Sequence, residues 1–447
     1  MLFRSEEEVA PYLENAWINE SKKYHDDEDG ELGVVGYEIN FDCPESVLAG
    51  WMAFRSYLSV VRYRPTHRSD VRIRSGWKGI MHGGAVTLPM TSYDVAFIGT
   101  GADPDDPDFS GFAMAYHHAE AYTRLGNCDL VACADIVPEN AAAFADTFGI
   151  DEDRTYEDYE EMLTEVDPDV LSVCVPPAIH AKVVVDSIQT GDLNAIHCEK
   201  PMDLTWGGAQ RMAQAAWRHD VQLTFNHQRR FKPSWVEARD AIESGAIGEL
   251  ERVEMAPPNL YDWGTHALDF AGDVVGDRPA EWAIGQIDYR DEQYWFGAHN
   301  ENQAFGTWEY DNGVTGVIST GKGGSLVEGT FRFVGSDGVL DLDPDDEEDV
   351  DVRWRQTGEP EWERRSVEDG EWTEPIMDAI EHVVECIGTD EEPTLGARNA
   401  LNSTEIIFGI WESARRRGRV DFPLDIDDNP LHAMVESGEL TPEPADD

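Results

Sequence analysis

Tyr93-Asp-Val-Ala-Phe-Ile-Gly-Thr-Gly101 is the stretch that decides the fold. A short apolar strand runs directly into two glycines. A turn of that kind lets backbone N–H groups approach a pyrophosphate at a helix N-terminus. The third glycine of a dinucleotide fingerprint does not follow three residues later. Instead Ala-Asp-Pro-Asp-Asp-Pro-Asp-Phe-Ser-Gly (102–111) intervenes, and Ala115 is the residue placed to fill the close-packing position. Four aspartates beside a pyrophosphate are unfavourable unless they point away or are screened. Taken alone, the broken fingerprint reads equally as an ordinary glycine turn.

The sequence on either side favours the nucleotide reading. AMAYHHAEAYTRL (113–125) has helical spacing, and DLVACAD (129–135) is a second strand. PENAAAFADTFG (138–149) is a helix with proline at its start and glycine after its end. YEDYEEML is a further helix, DVLSVCVPP (169–177) a third strand, HAKVVVDSIQTG (180–191) a helix and NAIHCEKP (194–201) a fourth strand. Near-continuous apolar strands alternating with helices make a doubly wound parallel sheet buried on both faces. Asp135 ends the second strand, where a carboxylate accepts the ribose hydroxyls of NAD. Ile136 and Val137 follow it, with no arginine for a 2′-phosphate, so NAD is favoured over NADP. A helix-capping aspartate is the plainer alternative.

After about 205 the texture changes. ELERVEMA, AEWAIGQIDY, QAFGTWEYDNGVTGVIST, GTFRFVGSDGVLDLD and VDVRWRQ read as strands, and Asn312-Gly313 between alternating runs is a hairpin signal. ALNSTEIIFGIWESARRRG (400–418) is an amphipathic helix. The expected fold class is α/β, with an N-terminal Rossmann-type parallel sheet and a C-terminal α/β domain carrying a large, mainly antiparallel open sheet. The expected divisions are 1–89, 90–205, 206–423 and a solvated acidic tail, 424–447. Residues 1–89 receive no function, and Met90 is an alternative start.

Charge narrows the classes further. Ninety acidic residues against 34 basic ones give a net charge of −56, and the basic set is 27 Arg to only 7 Lys. That opposes nucleic-acid and anionic-membrane partners, which need Lys and Arg. A dense carboxylate surface with few lysines fits a halophilic protein working in molar salt, where the Debye length falls to about 3 Å. Hydrophobic residues at 41% allow large cores, and no run of about 18 apolar residues suggests a membrane span. The N-terminus lacks a secretory h-region, so a cytoplasmic location is expected. Six cysteines without a CxxC pair read as reduced thiols, with no zinc site. His117-His118 on a helix project about 100° apart, a poor metal-ligand pair, so no metal is expected. His118 reads instead as a residue packed near the cofactor.

Two further constellations carry chemistry. Glu199-Lys200-Pro201 closes the fourth strand, and a lysine at the carboxyl edge of a parallel sheet lies where ligands bind. Asp262-Trp-Gly-Thr-His266 places Asp and His at i,i+4, on one face if Asp262 caps a helix through HALDFAG. An aspartate can fix the tautomer of such a histidine. Read in order, VAFIGTG, HAEAY, LVACAD, VCVPPAIHA, HCEKPMDL, FNHQRRFKP, YDWGTHALD and SARRRGRVDFPL resemble the Gfo/Idh/MocA oxidoreductases over about residues 93–423.

The resemblance implies reversible oxidation of a sugar, polyol or inositol-like alcohol with NAD(P), and a homodimer or homotetramer built through the C-terminal sheet. By position it implies Lys200 at the substrate hydroxyl and cofactor, His266 as general base and Asp262 as its partner. Gly99, Thr100, Gly101, Asp135, Pro176, His180, Glu199 and Lys200 fall on the cofactor side. Asn226, Arg229 and Arg230 fall beside the substrate. Two departures stand out: the acidic insertion in the glycine loop, and the short Pro257-Pro258-Asn259 link before Asp262. A shortened cover implies a wider pocket, a larger substrate, or a lid from another segment or subunit. YWFGAHNENQAFG (294–306), with Trp295, His299, Asn300, Glu301 and Asn302, is polar enough to line such a pocket, or else forms an exposed loop. Two alternatives stay open: an NAD-using redox-neutral glycoside-cleaving enzyme, and a cofactor-binding regulatory protein on the same fold.

Overall fold

The computed structural model describes residues 92–104, 113–327, 329–344, 349–389 and 391–444. The expectations placed on residues 1–91, and most of those placed on the glycine-loop insertion, lie outside the described residues.

The first half is a parallel sheet. Its strands are β1 (Tyr93–Ile98), β2 (Cys128–Ala134), β3 (Thr155–Tyr156), β4 (Val170–Val173), β5 (Ala195–Cys198) and β6 (Gln222–Phe225). They lie in the order β3-β2-β1-β4-β5-β6, and every pairing is parallel. The crossovers are helices α1 (Met114–Arg124), α2 (Pro138–Phe148), α3 (Tyr159–Val166), α4 (His180–Thr190) and α5 (Trp206–His219). Because helices cover both faces, the strands carry apolar runs, and Val95 to Ile98 are all buried. Phe97 anchors the core of one face, 5.0 Å from Phe144 and edge-on to Tyr122 at 6.0 Å. Burial of such rings contributes about 1.5–3 kcal/mol each.

The parallel sheet does not stop at 205. Helix α5 carries the chain to β6, its sixth strand, so the expected division at 205/206 falls inside the sheet.

Helix α6 (Pro233–Glu243) leads into the second sheet. Its strands are β7 (Leu250–Met255), β8 (Ala280–Asp288), β11 (Gln303–Tyr310), β12 (Thr315–Ser319), β13 (Phe331–Gly335), β14 (Gly338–Leu342), β15 (Val352–Gln356), β16 (Glu363–Arg365) and β17 (Val420–Asp421). Helix α7 (Gly264–Val274) lies between β7 and β8, and a small hairpin, β9 (Tyr294–Trp295) with β10 (Ala298–His299), sits between β8 and β11. The order is β16-β15-β14-β13-β7-β12-β11-β8-β17, antiparallel except where β12 runs beside β7. The Asn312-Gly313 turn joins β11 to β12 as expected, with Gly313 at φ 84°. Helices α8 (Glu374–Cys386) and α9 (Ala397–Arg416) follow. Helix α9 covers one face of β8, while Ile284 and Phe305 stay exposed on the other.

The tail corrects an expectation. Helix α10 (Pro430–Glu436) buries Leu431 and Met434, Asn429 caps it, and Glu443 exchanges backbone hydrogen bonds with the 290–292 segment. Two apolar residues at helical spacing override the surrounding acidity, so the described part of the tail, 424–444, is folded onto the protein rather than solvated. Among the described residues, no helix is long and apolar enough to cross a membrane.

Candidate active site

In the parallel sheet the chain leaves β1 toward β2 and leaves β4 toward β5. The crevice between β1 and β4 is therefore the switch point where such sheets bind ligands. Gly99 and Gly101 lie at its mouth with φ of 81° and 69°. A Cβ on Gly99 would come within 2.6 Å of Val175 Cγ1 and 2.9 Å of the Cys174 carbonyl oxygen, so only glycine fits. A Cβ on Gly101 would meet nothing within 4 Å. That open space beside a left-handed glycine is the cradle a dinucleotide needs.

Asp135 closes the turn from the neighbouring strand. Its Oδ2 accepts from Thr100 N at 2.9 Å, Gly101 N at 3.0 Å and Thr100 Oγ1 at 3.2 Å. Among the described residues, its Oδ1 accepts from Val137 N alone, at 2.9 Å. A carboxylate offers about four lone-pair sites, and the lightly used Oδ1 leaves room for a ribose hydroxyl. The turn fits NAD by its shape, with open space at Gly101 and a lightly used Oδ1 on Asp135, while the amides of Gly99, Thr100 and Gly101 donate within the protein, to the Ala134 carbonyl and to Asp135 Oδ2. Pro176 is exposed on the loop after β4. His180 is fully buried. Its Nε2 lies 2.7 Å from the Val175 carbonyl oxygen, and its Nδ1 lies 2.9 Å and 3.1 Å from those of Pro201 and Met202. It therefore ties the loop after β4 to the Lys200-Pro201 turn and has no ring nitrogen left for a ligand.

Glu199 lies beneath that turn. Its Oε1 is 3.1 Å from His118 Nε2 and accepts from Asn226 Nδ2 at 2.7 Å, and its Oε2 accepts from Lys200 N at 3.2 Å. Burial alone would raise its pKa. The hydrogen bond and charge of His118, then Lys200 and Asn226, outweigh that and hold Glu199 well below the usual carboxylate range. Asn226, expected beside the substrate, instead braces Glu199.

Lys200 Nζ donates to Asp262 Oδ1 at 2.8 Å and to the Asp262 carbonyl at 3.3 Å. The carboxylate expected to serve His266 is thus on the lysine. The expected helix cap is corrected as well. Helix α7 starts at Gly264, after Asp262, and Asn259 Oδ1 accepts from both Asp262 N and Trp263 N at 3.0 and 2.9 Å. Asn259 thus fixes the turn that aims Asp262.

His266 sits on the first turn of α7, 5% exposed, and its Nδ1 is buried without a hydrogen-bond partner. Burial first, then the charges of Lys200, Arg229 and His227, push its pKa well below the ordinary value, so the ring is neutral. Arg229 stacks on Trp263 at 3.9 Å with its Nε buried and unpartnered. Arg230, expected beside it, turns the other way. Its guanidinium is spent on Asp269, Asp273 and Asp277 in a buried ionic network, because a buried guanidinium must be paired.

The 294–302 segment contributes support. Glu301 is fully buried. Its carboxylate accepts from Leu260 N at 2.8 Å, Trp411 Nε1 at 3.1 Å and Thr320 Oγ1 at 3.3 Å, and so pins the link that carries Asp262. The tip of the β9–β10 hairpin reaches the loop after β4, where a Cβ on Gly297 would lie 3.2 Å from Ala178 Cβ. His299 N donates to His432 Nε2 at 2.9 Å, which ties the hairpin to α10.

A switch-point crevice with a glycine turn, a ribose-side carboxylate and a lysine at its rim defines a dinucleotide-binding oxidoreductase. The chain belongs to the Gfo/Idh/MocA oxidoreductase family. The model of the family's NAD-binding Rossmann fold matches residues 95–227, and that of its C-terminal α/β domain matches 251–422. An inositol 2-dehydrogenase of Rhizobium meliloti is 32% identical over 177 residues, 36% of this chain and 52% of that protein. A D-glucoside 3-dehydrogenase of Escherichia coli is 26% identical over 235 residues, 47% of this chain and 64% of that protein. The chain spans about half the length of the first of these relatives. An Agrobacterium radiobacter oxidoreductase solved with NAD+, L-tartaric acid and magnesium shares the fold. Its TM-score is 0.60 at 18% identity, covering 74% of this chain and 98% of that one.

Proposed function

We propose that the protein is an NAD-dependent dehydrogenase acting on a secondary alcohol of a sugar, polyol or inositol-like substrate. The observation that carries this reading is the pairing of Lys200 Nζ with Asp262 at 2.8 Å beside a neutral, buried His266 at the carboxyl edge of the parallel sheet. NAD bound in the crevice supplies the hydride acceptor. His266, held neutral, takes the hydroxyl proton on its imidazole ring. Lys200, held in place by Asp262, donates to the substrate oxygen and steadies the charge that develops as the proton leaves. A positioned base of this kind contributes about 10²–10⁴-fold, and holding the carbinol carbon in line supplies much of the rest.

The regulatory reading is disfavoured because Lys200, Asp262 and His266 are all present. The redox-neutral reading uses the same residues and differs in net NADH. Exposed Ile284 and Phe305 on the bare face of the second sheet support assembly of two or four copies through that face. The test is NADH absorbance with NAD across inositols, polyols and sugars in molar potassium chloride, with Lys200→Ala as control. Growth that the control abolishes supports the dehydrogenase. Substrate consumption without NADH supports the redox-neutral reading, and NAD binding without turnover of any substrate supports the regulator.

A further inference from the structure

We propose that Cys174 is a modification site: a His118-activated thiol in the dinucleotide crevice that takes soft electrophiles and small disulfides and, once modified, blocks dinucleotide binding.

The placement is set by the sheet. Cys174 follows β4, its N–H donates to the Ile98 carbonyl at 2.9 Å, and its own carbonyl lies against Gly99 at the switch point. The side chain is half-buried. Its Sγ stands 3.5 Å from His118 Nδ1, which Ser172 Oγ shares at 2.9 Å, and 3.9 Å from Ser172 Oγ; His118 Nε2 stands 3.1 Å from Glu199 Oε1. A nucleophile, a base and a carboxylate orienting the base is the arrangement that activates a cysteine. The cluster also keeps an unspent group. Asn226, 1% exposed, spends its amide nitrogen on Glu199, while its Oδ1 is buried without a partner.

The groups facing the thiol are His118 and Tyr122 from α1, Ser172 from β4, and Cys198 and Glu199 from β5. Burial would discharge His118, but Cys174 and Glu199 reverse that and favour the imidazolium. Among the other described thiols, Cys386 also lies beside a histidine, 3.7 Å from His382 Nε2, but that nitrogen already accepts from Thr394 N at 3.0 Å. Cys128 is equally half-buried, yet burial and the adjacent Asp129 push it up to about 11. Burial, with neighbouring carboxylates, also pushes Cys386 up to about 11 and Cys133 up to about 12.

In the reversible case the Cys174 thiolate attacks one sulfur of a small disulfide. The new S–S bond forms as the old one breaks, and the departing thiolate takes a proton from water. The adduct is then attached at the end of β4, the strand that borders Gly99 at the switch point.

The test uses the full chain in molar potassium chloride at pH 7, limiting N-ethylmaleimide and peptide mass spectrometry, with Cys128 as the internal clock. The expected result is labelling of Cys174 at least tenfold faster than Cys128, slowed at least tenfold by saturating NAD. His118→Gln slows Cys174 and leaves Cys128 unchanged. Glutathione disulfide abolishes NAD binding, dithiothreitol restores it, and Cys174→Ser makes binding insensitive to the disulfide. Equal rates at the two thiols, or a modified Cys174 that still binds NAD, would overturn the proposal. NAD affinity of the untreated protein, measured separately, keeps a failure of the dinucleotide reading distinct from a failure of this one.

Discussion

The two walls of the crevice are built from different material. The β1 wall is mostly backbone: the Gly99-Thr100-Gly101 turn, its amides donating to the Ala134 carbonyl and to one carboxylate, Asp135. The opposite wall is side chain. Lys200, Asp262 and His266 come from the end of β5, a loop and the start of α7; Lys200 is held by Asp262, and the Asp262 backbone by Asn259. The first wall is suited to binding and the second to chemistry. The two are therefore expected to fail separately.

The largest expected effect tests that separation on the chemical wall. His266→Ala lowers kcat by about 10²–10⁴-fold, the worth of a positioned base, while NAD affinity measured by protein fluorescence stays within a few-fold. The pH profile sharpens the point. Because burial, then Lys200, Arg229 and His227, depress the pKa of His266, the base form prevails through the neutral range. The acid limb of kcat/KM assigned to this base therefore lies well below 6.5. Lys200→Met removes one of the opposing cations, so in the residual activity that limb moves to higher pH. A limb fixed near 6.5 in both proteins would remove His266 from the role.

The backbone wall breaks differently. Gly99→Ala places a methyl group 2.6 Å from Val175 Cγ1 at a positive φ, a strain of about 1–3 kcal/mol. NAD affinity falls at least tenfold and the thermal midpoint drops, yet kcat at saturating NAD stays within a few-fold of wild type. A large loss of kcat at saturation would mean that the two walls are not separable.

Glu301 tests how the chemical wall is supported. Burial raises its carboxyl to about 7 despite hydrogen bonds from Leu260 N, Trp411 and Thr320. A folded-state pKa above the unfolded one contributes stability below the unfolded value, about 4.3. That contribution is lost as pH rises through 7. Glu301→Gln, of the same shape and uncharged, is therefore close to wild type in urea melts at pH 5 and gains on it by pH 8, on the order of 1 kcal/mol per pKa unit. Glu301→Ala loses all three bonds, destabilises at both pH values and lowers kcat more than it raises KM for NAD.

The same contrast explains what the sequence made legible. The parallel sheet could be read strand by strand, because each crossover is local and strands covered on both faces show as apolar runs. The glycine turn and Asp135 fall within that local pattern. Lys200 and His266 were found through short motifs, but their partners were not. The i,i+4 spacing points Asp262 at His266, whereas the turn set by Asn259 ends before the helix begins and sends the carboxylate to Lys200. Arg229 and Arg230 are adjacent in sequence and point to opposite surroundings, a distinction only three-dimensional packing makes. The folded tail was hidden by its acidity, which outweighed two buried apolar residues, Leu431 and Met434, in the composition.

The smallest expected effect lies at Asn259, and it asks whether Asp262 is held by its backbone or by Lys200 alone. Asn259 Oδ1 accepts from two consecutive amides, so Asn259→Ala leaves both without their partner and costs about 1 kcal/mol, the usual worth of such a cap. Asn259→Asp keeps the acceptor and recovers most of the stability. If the turn aims Asp262, the alanine variant also loses several-fold in kcat with NAD affinity unchanged, and the aspartate variant regains it. If the pair with Lys200 suffices by itself, stability falls in Asn259→Ala while kcat holds, and the chemical wall is then anchored from the β5 side rather than from the loop before α7.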